Sequence, residues 1–391
     1  MLDSSTAPTA TGVGPAPHSP RVLALADHLG HADGRVHGAT TYYATVYPRL
    51  VRAGIDLTVC FMGSRHSAVE RLEREGIKPL FLGRARWDPR ALVDVLRLIE
   101  ERDIEVVHAA AFKSHILGRL AAAVNSRRAI IHLHDTVPIA PPIRFALRRL
   151  ASRTDLALAV SDPVRRFGIE QYGLDARQVR TLHNAIDLSP RRADPAEARA
   201  SLRTELGVPD DSRLIGLIGR LAPMKGHEYA IRALPAVLEA CPGARLVFCG
   251  EGAELENLAS VARALNVEAA VIFAGQRSDV PRVLAALDVV VMPSMFGEGL
   301  PYAAIEAIAA GRAIVAFPTA GIPEVVPHGE AGLLVPAGDV EALAEALIRV
   351  LLDHDLRARL EAGATRHARQ FGLEQHVDEL VAIYRELTGA G

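Results

Sequence analysis

The chain has 391 residues, 49% of them hydrophobic and 23% charged, with a formal net charge of −2. That length exceeds the ~250–300 residues at which one hydrophobic core stops growing, so two domains are expected. The near-balanced charge gives no reason to expect nucleic acid or an anionic membrane as the main partner. Three cysteines (Cys60, Cys241 and Cys249) form no CxxC pair, which argues against a disulfide framework or structural zinc and fits a reducing compartment.

The opening stretch "MLDSSTAPTATGVGPAPHSP" (1–20) lacks the basic start and apolar core of a secretory signal and reads as a disordered arm. No apolar run reaches the ~18 residues of a membrane helix. Short apolar runs at 21–27, 55–61, 78–83, 104–110, 129–134 and 156–161 read as buried strands, with helical periodicity between them, as in 88–103. The polar, Pro-punctuated stretch 187–213 holds no strand pattern and reads as a domain junction with one helix. The pattern restarts with runs at 213–219, 244–250, 269–275, 288–294, 313–318 and 331–337. The expected fold class is α/β: two doubly wound, Rossmann-like domains (21–187 and 188–372) facing across a cleft, with the C-terminal helix 373–391 packing back on the first. In such sheets ligands bind at the carboxyl ends of the strands.

After the run 213–219 comes "GRLAPMKG", whose Arg220 and Lys225 flank a turn into a helix. Two cations and a helix N-terminus suit a diphosphate; a solvated pair of surface charges is the alternative. Only three lysines occur among the 44 basic residues, which points weakly to a specific use for Lys225. In "CGEGAE", Gly250 and Gly252 end another strand, either letting a ligand approach the backbone or forming a plain strand-to-helix turn. Neither this segment nor "GRVHGATTYY" (34–43) is a GxGxxG fingerprint, so nicotinamide binding has little support. "FGEGLPYAAIEA" puts Glu298 and Glu306 eight positions apart, with Pro301 opening and Gly311 ending a helix predicted at 300–310. Eight helical positions span ~12 Å, whereas two carboxylates serving one glycosidic bond sit ~5–9.5 Å apart. The pair therefore suits the two ends of an extended ligand.

"GRLAPMKG", "PSMFGEGLPYAAIEAIAAG" and "TAGIPEVVPHGEAGLLV", in that order, resemble the retaining nucleotide-sugar glycosyltransferases of family GT4, with their GT-B architecture and E-x7-E signature. The resemblance runs from about Arg21 onward and is more specific in the C-terminal half. It implies that 21–187 is the acceptor side and 188–372 binds the donor. It further implies that Arg220 and Lys225 hold the donor diphosphate, Glu306 the ribose and Glu298 the transferred sugar, with backbone near Gly299 and Leu300 assisting. Arg277 matches the position that contacts the base, mostly through its backbone, and His134 the histidine near the transferred sugar, while His132 reads as structural. In the first-strand loop only Gly38 fits the family's glycine pattern, since Ala39 stands where an acid is common. In "LHNAID" Asn184 and Asp187 are kept, and Asn184 reads first as a turn residue.

The implied reaction is transfer of a sugar from a nucleoside diphosphate, a UDP-sugar such as UDP-GlcNAc being the best match, to an acceptor hydroxyl or amine with retention of configuration. No enzymic nucleophile stands out, which fits a same-face mechanism. No DxD-like motif appears, so no metal and no cofactor are expected beyond the donor. Rival readings are an epimerase or phosphorylase of the same fold and a non-catalytic nucleotide-sugar-binding protein. The basic segment "IRFALRRLASR" (143–153) reads as an outer Rossmann helix, with peripheral membrane contact as its alternative. A cytoplasmic location is expected. The acceptor, a small molecule or a glycan or lipid intermediate, is open from the sequence, as is the oligomeric state.

Overall fold

A computed structural model describes residues 18–29, 38–65, 67–85, 88–189 and 195–389. Strands β1 (Arg21–Ala26), β2 (Asp56–Phe61), β3 (Leu80–Phe81), β4 (Val106–Ala109), β5 (Arg128–Leu133), β6 (Leu156–Ala159) and β7 (Val179–Thr181) form one sheet in the order β3-β2-β1-β4-β5-β6-β7. Strands β8 (Arg213–Ile218), β9 (Ala244–Cys249), β10 (Val271–Phe273), β11 (Val289–Met292), β12 (Ile314–Ala316) and β13 (Gly332–Leu334) form a second, ordered β10-β9-β8-β11-β12-β13. Every neighbouring pair is parallel.

The strands are near-continuous aliphatic runs because helices cover both faces: Val22 to Ala26 and Val289 to Met292 are all buried. The helix Arg90–Glu101 lies within the predicted 88–103 and turns Ala91, Val95, Leu98 and Ile99 inward, the one-stripe spacing of a surface helix. The helix after β6 shows why helices start and stop where they do. Ser161 accepts from the Val164 amide at 3.4 Å, and Gly173 closes the helix at φ 70.

Residues 18–20, read from the sequence as the end of an arm, are hydrogen-bonded to the first domain, with Pro20 buried and His18 and Ser19 exposed. His18 Nε2 lies 2.8 Å from Glu105 Oε1, and the Pro20 carbonyl accepts from the Asp56 amide at 3.0 Å, extending the β1–β2 ladder. The remainder of that arm, 1–17, lies outside the described residues. The junction helix Pro195–Leu206 is anchored by buried Arg203, whose guanidinium meets Asp288 at 3.6 Å, with Arg199 and Arg213 on the same carboxylate.

The chain passes between the sheets twice. Ile186 donates to the Phe371 carbonyl at 2.9 Å and Leu373 to the Ile186 carbonyl at 3.0 Å, so the two crossings run side by side. The terminal helix Leu373–Thr388 then shares one core with the first sheet, burying Val377, Leu380 and Tyr384 against Tyr42, Tyr43 and Val46.

Candidate functional site

In the second sheet β8 lies between β9 and β11, so the connections leaving β8 and β11 diverge, and a crevice opens at their carboxyl ends. The exit of β8 carries Arg220 and the turn Pro223–Lys225 that leads into the helix His227–Ala240. The exit of β11 carries residues 293–301 and the helix Tyr302–Ala309. Together with the strand ends of the first sheet these segments enclose a cleft of about 1380 Å³, lined by His134, Arg220, Lys225, Arg277, Glu298, Gly299, Leu300 and Glu306.

Lys225 and Glu298, 73 positions apart in sequence, form an ion pair inside this cleft. Glu298 is only 8% exposed, and Ser294 Oγ donates a second hydrogen bond to its Oε1 at 3.3 Å. Such a buried carboxylate needs its counter-charge, because desolvation otherwise outweighs what the ion gains. Arg220 is exposed at the cleft, touches Met224 Sδ at 4.0 Å and makes no ion pair among the described residues. Glu306 sits one helical turn beyond Tyr302. Burial, with the Glu306 charge adding to it, pushes the Tyr302 phenol well above its ordinary pKa.

The helix begins two residues later than predicted. Pro301 is its N-cap, with extended backbone at ψ 125, so Glu298 stands in an irregular loop and only Glu306 on the helix. The helical-rise estimate of their separation therefore does not apply. That loop is clamped by the facing domain. Ser161 Oγ donates to the Gly299 carbonyl at 2.9 Å and Asn184 Nδ2 to the Leu300 carbonyl at 2.8 Å. Gly299 packs so closely on the His134 carbonyl that a Cβ there would overlap it. Asn184 is thus more than a turn residue: it ties the crossing segment to the glutamate loop and itself lines the cleft.

On the first sheet, His134 follows β5 and stacks on His132 with ring centroids 4.2 Å apart, while Tyr42 meets both rings edge-on. His132 is buried, with neither ring nitrogen hydrogen-bonded. Beneath it lies His108, held to Tyr384 Oη at 2.6 Å, and burial lowers the His108 pKa to about 3.

One sequence reading is corrected. Gly252, read as a place for ligand to approach the backbone, does not line the cleft; its missing side chain makes room for the Leu221 carbonyl, so it serves loop-to-loop packing. Arg277 does line the cleft, but its guanidinium is held by Glu205 and, at 2.7 Å, by Asp279, which leaves its backbone to face a ligand. These carboxylates hold Arg277 well above its usual pKa. Gly38 is the first residue of the helix Gly38–Arg52, and the loop before it (30–37) lies outside the described residues. Sequence reasoning missed Tyr42 and Ser294. Both sit inside quoted motifs, yet neither residue type by itself signals a site.

The family description "Glycosyltransferase Family 4" matches residues 36–190 and "Glycosyl transferases group 1" matches 198–367. A GDP-mannose-dependent alpha-(1-6)-phosphatidylinositol monomannoside mannosyltransferase of Mycobacterium tuberculosis is 31% identical over 348 residues, 86% of this chain and 87% of that protein. A D-inositol 3-phosphate glycosyltransferase of Corynebacterium jeikeium is 33% identical over 259 residues, 63% of this chain, and the match spans 61% of that relative. Among solved structures, Anabaena HepE in complex with UDP superposes with a TM-score of 0.81 at 24% identity, covering 94% of this chain and 100% of that one. Sucrose-phosphate synthase of Thermosynechococcus elongatus gives 0.78 at 20% identity, covering 95% and 100%. The two matched halves, the cleft between parallel sheets and these relatives together establish that the chain belongs to the family 4 glycosyltransferases and has their GT-B fold.

Proposed function

We propose that this glycosyltransferase moves a hexosyl group, with retention of configuration, from a nucleoside-diphosphate sugar to an acceptor hydroxyl. The observation that carries the reading is the convergence of Arg220, Lys225, Glu298 and Glu306 on one cleft wall with His134 opposite. Arg220 and Lys225 take the diphosphate and stabilise the charge that grows on the leaving phosphate. That oxygen accepts the acceptor proton on the same face of the sugar as the new bond, so no protein nucleophile is needed. Glu298, beside Lys225, binds the hydroxyls of the transferred sugar; Glu306 binds the ribose; the Arg277 backbone meets the base. His134 faces the transferred sugar, and Tyr42 and His132 fix its ring.

Two cations on the phosphates support a reaction that needs no metal. Donor identity divides two candidates: a UDP-sugar such as UDP-GlcNAc, the expectation that accompanies the family resemblance with the sugar and base left open by the motifs, and GDP-mannose, named for the relative that spans most of the chain. The relatives named for inositol 3-phosphate and a phosphatidylinositol mannoside favour a polyol or lipid-linked hydroxyl as acceptor. A reducing, cytoplasmic setting fits the three unpaired cysteines. The test is a panel of UDP-, GDP- and ADP-sugars against cyclitol and lipid-linked acceptors, followed by mass spectrometry. Free nucleoside diphosphate that appears only with acceptor, and a product whose anomeric coupling matches the donor, are expected. Release without acceptor would favour the epimerase or phosphorylase reading, and no turnover with intact donor binding the non-catalytic one.

A further inference from the structure

No residue of "TAGIPEVV" (319–326) lines the cleft. Its Glu324 stands on the short helix Ile322–Val325 of the second domain, yet the first domain takes both oxygens of its carboxylate. The Asp162 amide donates to Oε1 at 2.8 Å, and His183 Nε2 meets Oε2 at 2.7 Å. The Glu324 carbonyl accepts from His367 Nε2 at 2.8 Å, which fixes the backbone on its own side of the domain boundary.

A part-exposed histidine–glutamate pair contributes little by itself, and a carboxylate on the first amide of a helix is often no more than a cap. Three features distinguish this one. The residue before Asp162 is Ser161, whose Oγ donates to the Gly299 carbonyl, so one helix start holds both Glu324 and the loop that carries Glu298. Gly321 packs on that same Gly299 carbonyl so closely that a Cβ would overlap it, which seats the Glu324 segment directly on the glutamate loop. On the other side, His183 precedes Asn184, the donor to the Leu300 carbonyl, and the His183 carbonyl accepts from His376 Nδ1 at 2.8 Å. His376 in turn meets Tyr42 at 3.2 Å, and Tyr42 bears edge-on against the His134 ring. Glu324 therefore joins, behind the cleft, two lines of contact that end at the Glu298 loop and at His134.

We propose that Glu324 is a positioning residue for sugar transfer. With His183 it fixes the register of the two domains, and so the distance at which His134 faces the sugar held by Glu298. The inference rests on the proposed roles of Glu298 and His134. Arg220, Lys225 and Glu306, which take the nucleotide, all belong to the second domain. Loss of Glu324 therefore spares nucleotide binding and acts on the step that needs both walls, where a misplacement of about 1 Å costs about a hundredfold in rate.

The test compares the full-length wild type with Glu324→Ala, Glu324→Gln, His183→Ala and the Glu324→Ala/His183→Ala double variant. Titration with UDP and GDP is expected to give wild-type affinity in all of them. In Glu324→Ala kcat is expected to fall about tenfold to a hundredfold and the acceptor KM to rise. Glu324→Gln, which keeps one oxygen for the Asp162 amide, is expected to recover part of the rate. The double variant is expected to lose no more than Glu324→Ala alone, because both changes break the same contact. A lower Tm with unchanged kcat in the folded variants would overturn the proposal, as would losses that add in the double variant. Small-angle scattering of the nucleotide-bound chain reads the register without turnover, and Glu324→Ala is expected to be more extended than wild type. Should no donor and acceptor pair turn over, the functional reading fails by itself; identical scattering of wild type and Glu324→Ala would overturn the positioning role.

Discussion

The two walls of the cleft are made of different chemistry. The wall from the second sheet is charged: Lys225, Arg220, Glu298 and Glu306 come off the exits of β8 and β11. The wall from the first sheet rests on stacked, uncharged rings. Burial lowers His108 and His115 to about 3 and His376 to about 4, and it takes His132 well below its ordinary value. His376 hydrogen-bonds Tyr42 at 3.2 Å and His115 Tyr172 at 3.1 Å, so burial keeps these imidazoles neutral and tyrosines hold them in place. The donor's charge is therefore assigned to the second-sheet wall and rigid positioning to the ring stack, while Arg71 and Arg74 of the helix Val69–Arg74 bring further cations to the cleft from the first domain. Changes to the second-sheet wall should be read in turnover, and changes to the ring stack in stability and its pH dependence.

The largest effect is expected on the charged wall. Arg220→Ala and Lys225→Ala should each lower kcat at least about a hundredfold, ~3 kcal/mol of lost transition-state stabilisation. Lys225→Ala should be the worse of the two, because it also leaves buried Glu298 without its counter-charge. Steady-state kinetics decide this, and near-wild-type turnover in both variants would remove the diphosphate role.

The ring wall predicts acid sensitivity. An unfolded histidine titrates near 6.5, whereas His108, His115 and His376 do so near 3, 3 and 4 in the fold, so below neutral pH the unfolded chain binds more protons. Stability from these groups is complete above about pH 6.5 and falls as pH drops toward 4 and 3, by up to ~1.4 kcal/mol per pH unit for each. Thermal melts between about pH 7 and pH 5 read that slope. His132→Phe, which removes a buried imidazole without breaking a side-chain hydrogen bond, should flatten it; an unchanged slope would place the acid sensitivity elsewhere.

Smaller still is the clamp between the walls. Asn184→Ala leaves the buried Leu300 carbonyl without its side-chain donor and should cost about 1–2 kcal/mol, read as a lower Tm with kcat reduced far less than in Lys225→Ala. Excess EDTA should change nothing. Loss of activity restored by Mn²⁺ would contradict the assignment of the phosphate charge to Arg220 and Lys225.

The same contrast explains what the sequence made legible. Long aliphatic runs bounded by turn residues mark fully covered parallel strands, so eleven of the strands fall within runs read from sequence and β5 starts one residue before its run. β7, three residues of Val-Arg-Thr with one exposed side chain, is too short and too polar to carry such a pattern. On the charged wall the residues stand in short ordered motifs, and their convergence follows from where β8 and β11 end. What stayed hidden was pairing across distance: the Lys225–Glu298 contact, the hold of Asn184 and Ser161 on the glutamate loop, and the ring stack under His134. Each joins residues far apart in sequence through groups with no local pattern. Gly252 misled because a glycine needed for close backbone packing looks the same in sequence as one that admits a ligand.

The central claim is that Glu298 and Glu306 grip opposite ends of one donor. Isothermal titration of wild type, Glu306→Gln and Glu298→Gln with the nucleoside diphosphate tests it directly. Glu306→Gln should lose ~1.5–3 kcal/mol of affinity, because the ribose is part of that ligand. Glu298→Gln should bind it as wild type does or more tightly, since Lys225 is then released to the phosphates, while its kcat falls. Equal loss of affinity in both variants would mean that the glutamates share one end of the ligand, and the account of the site would be wrong.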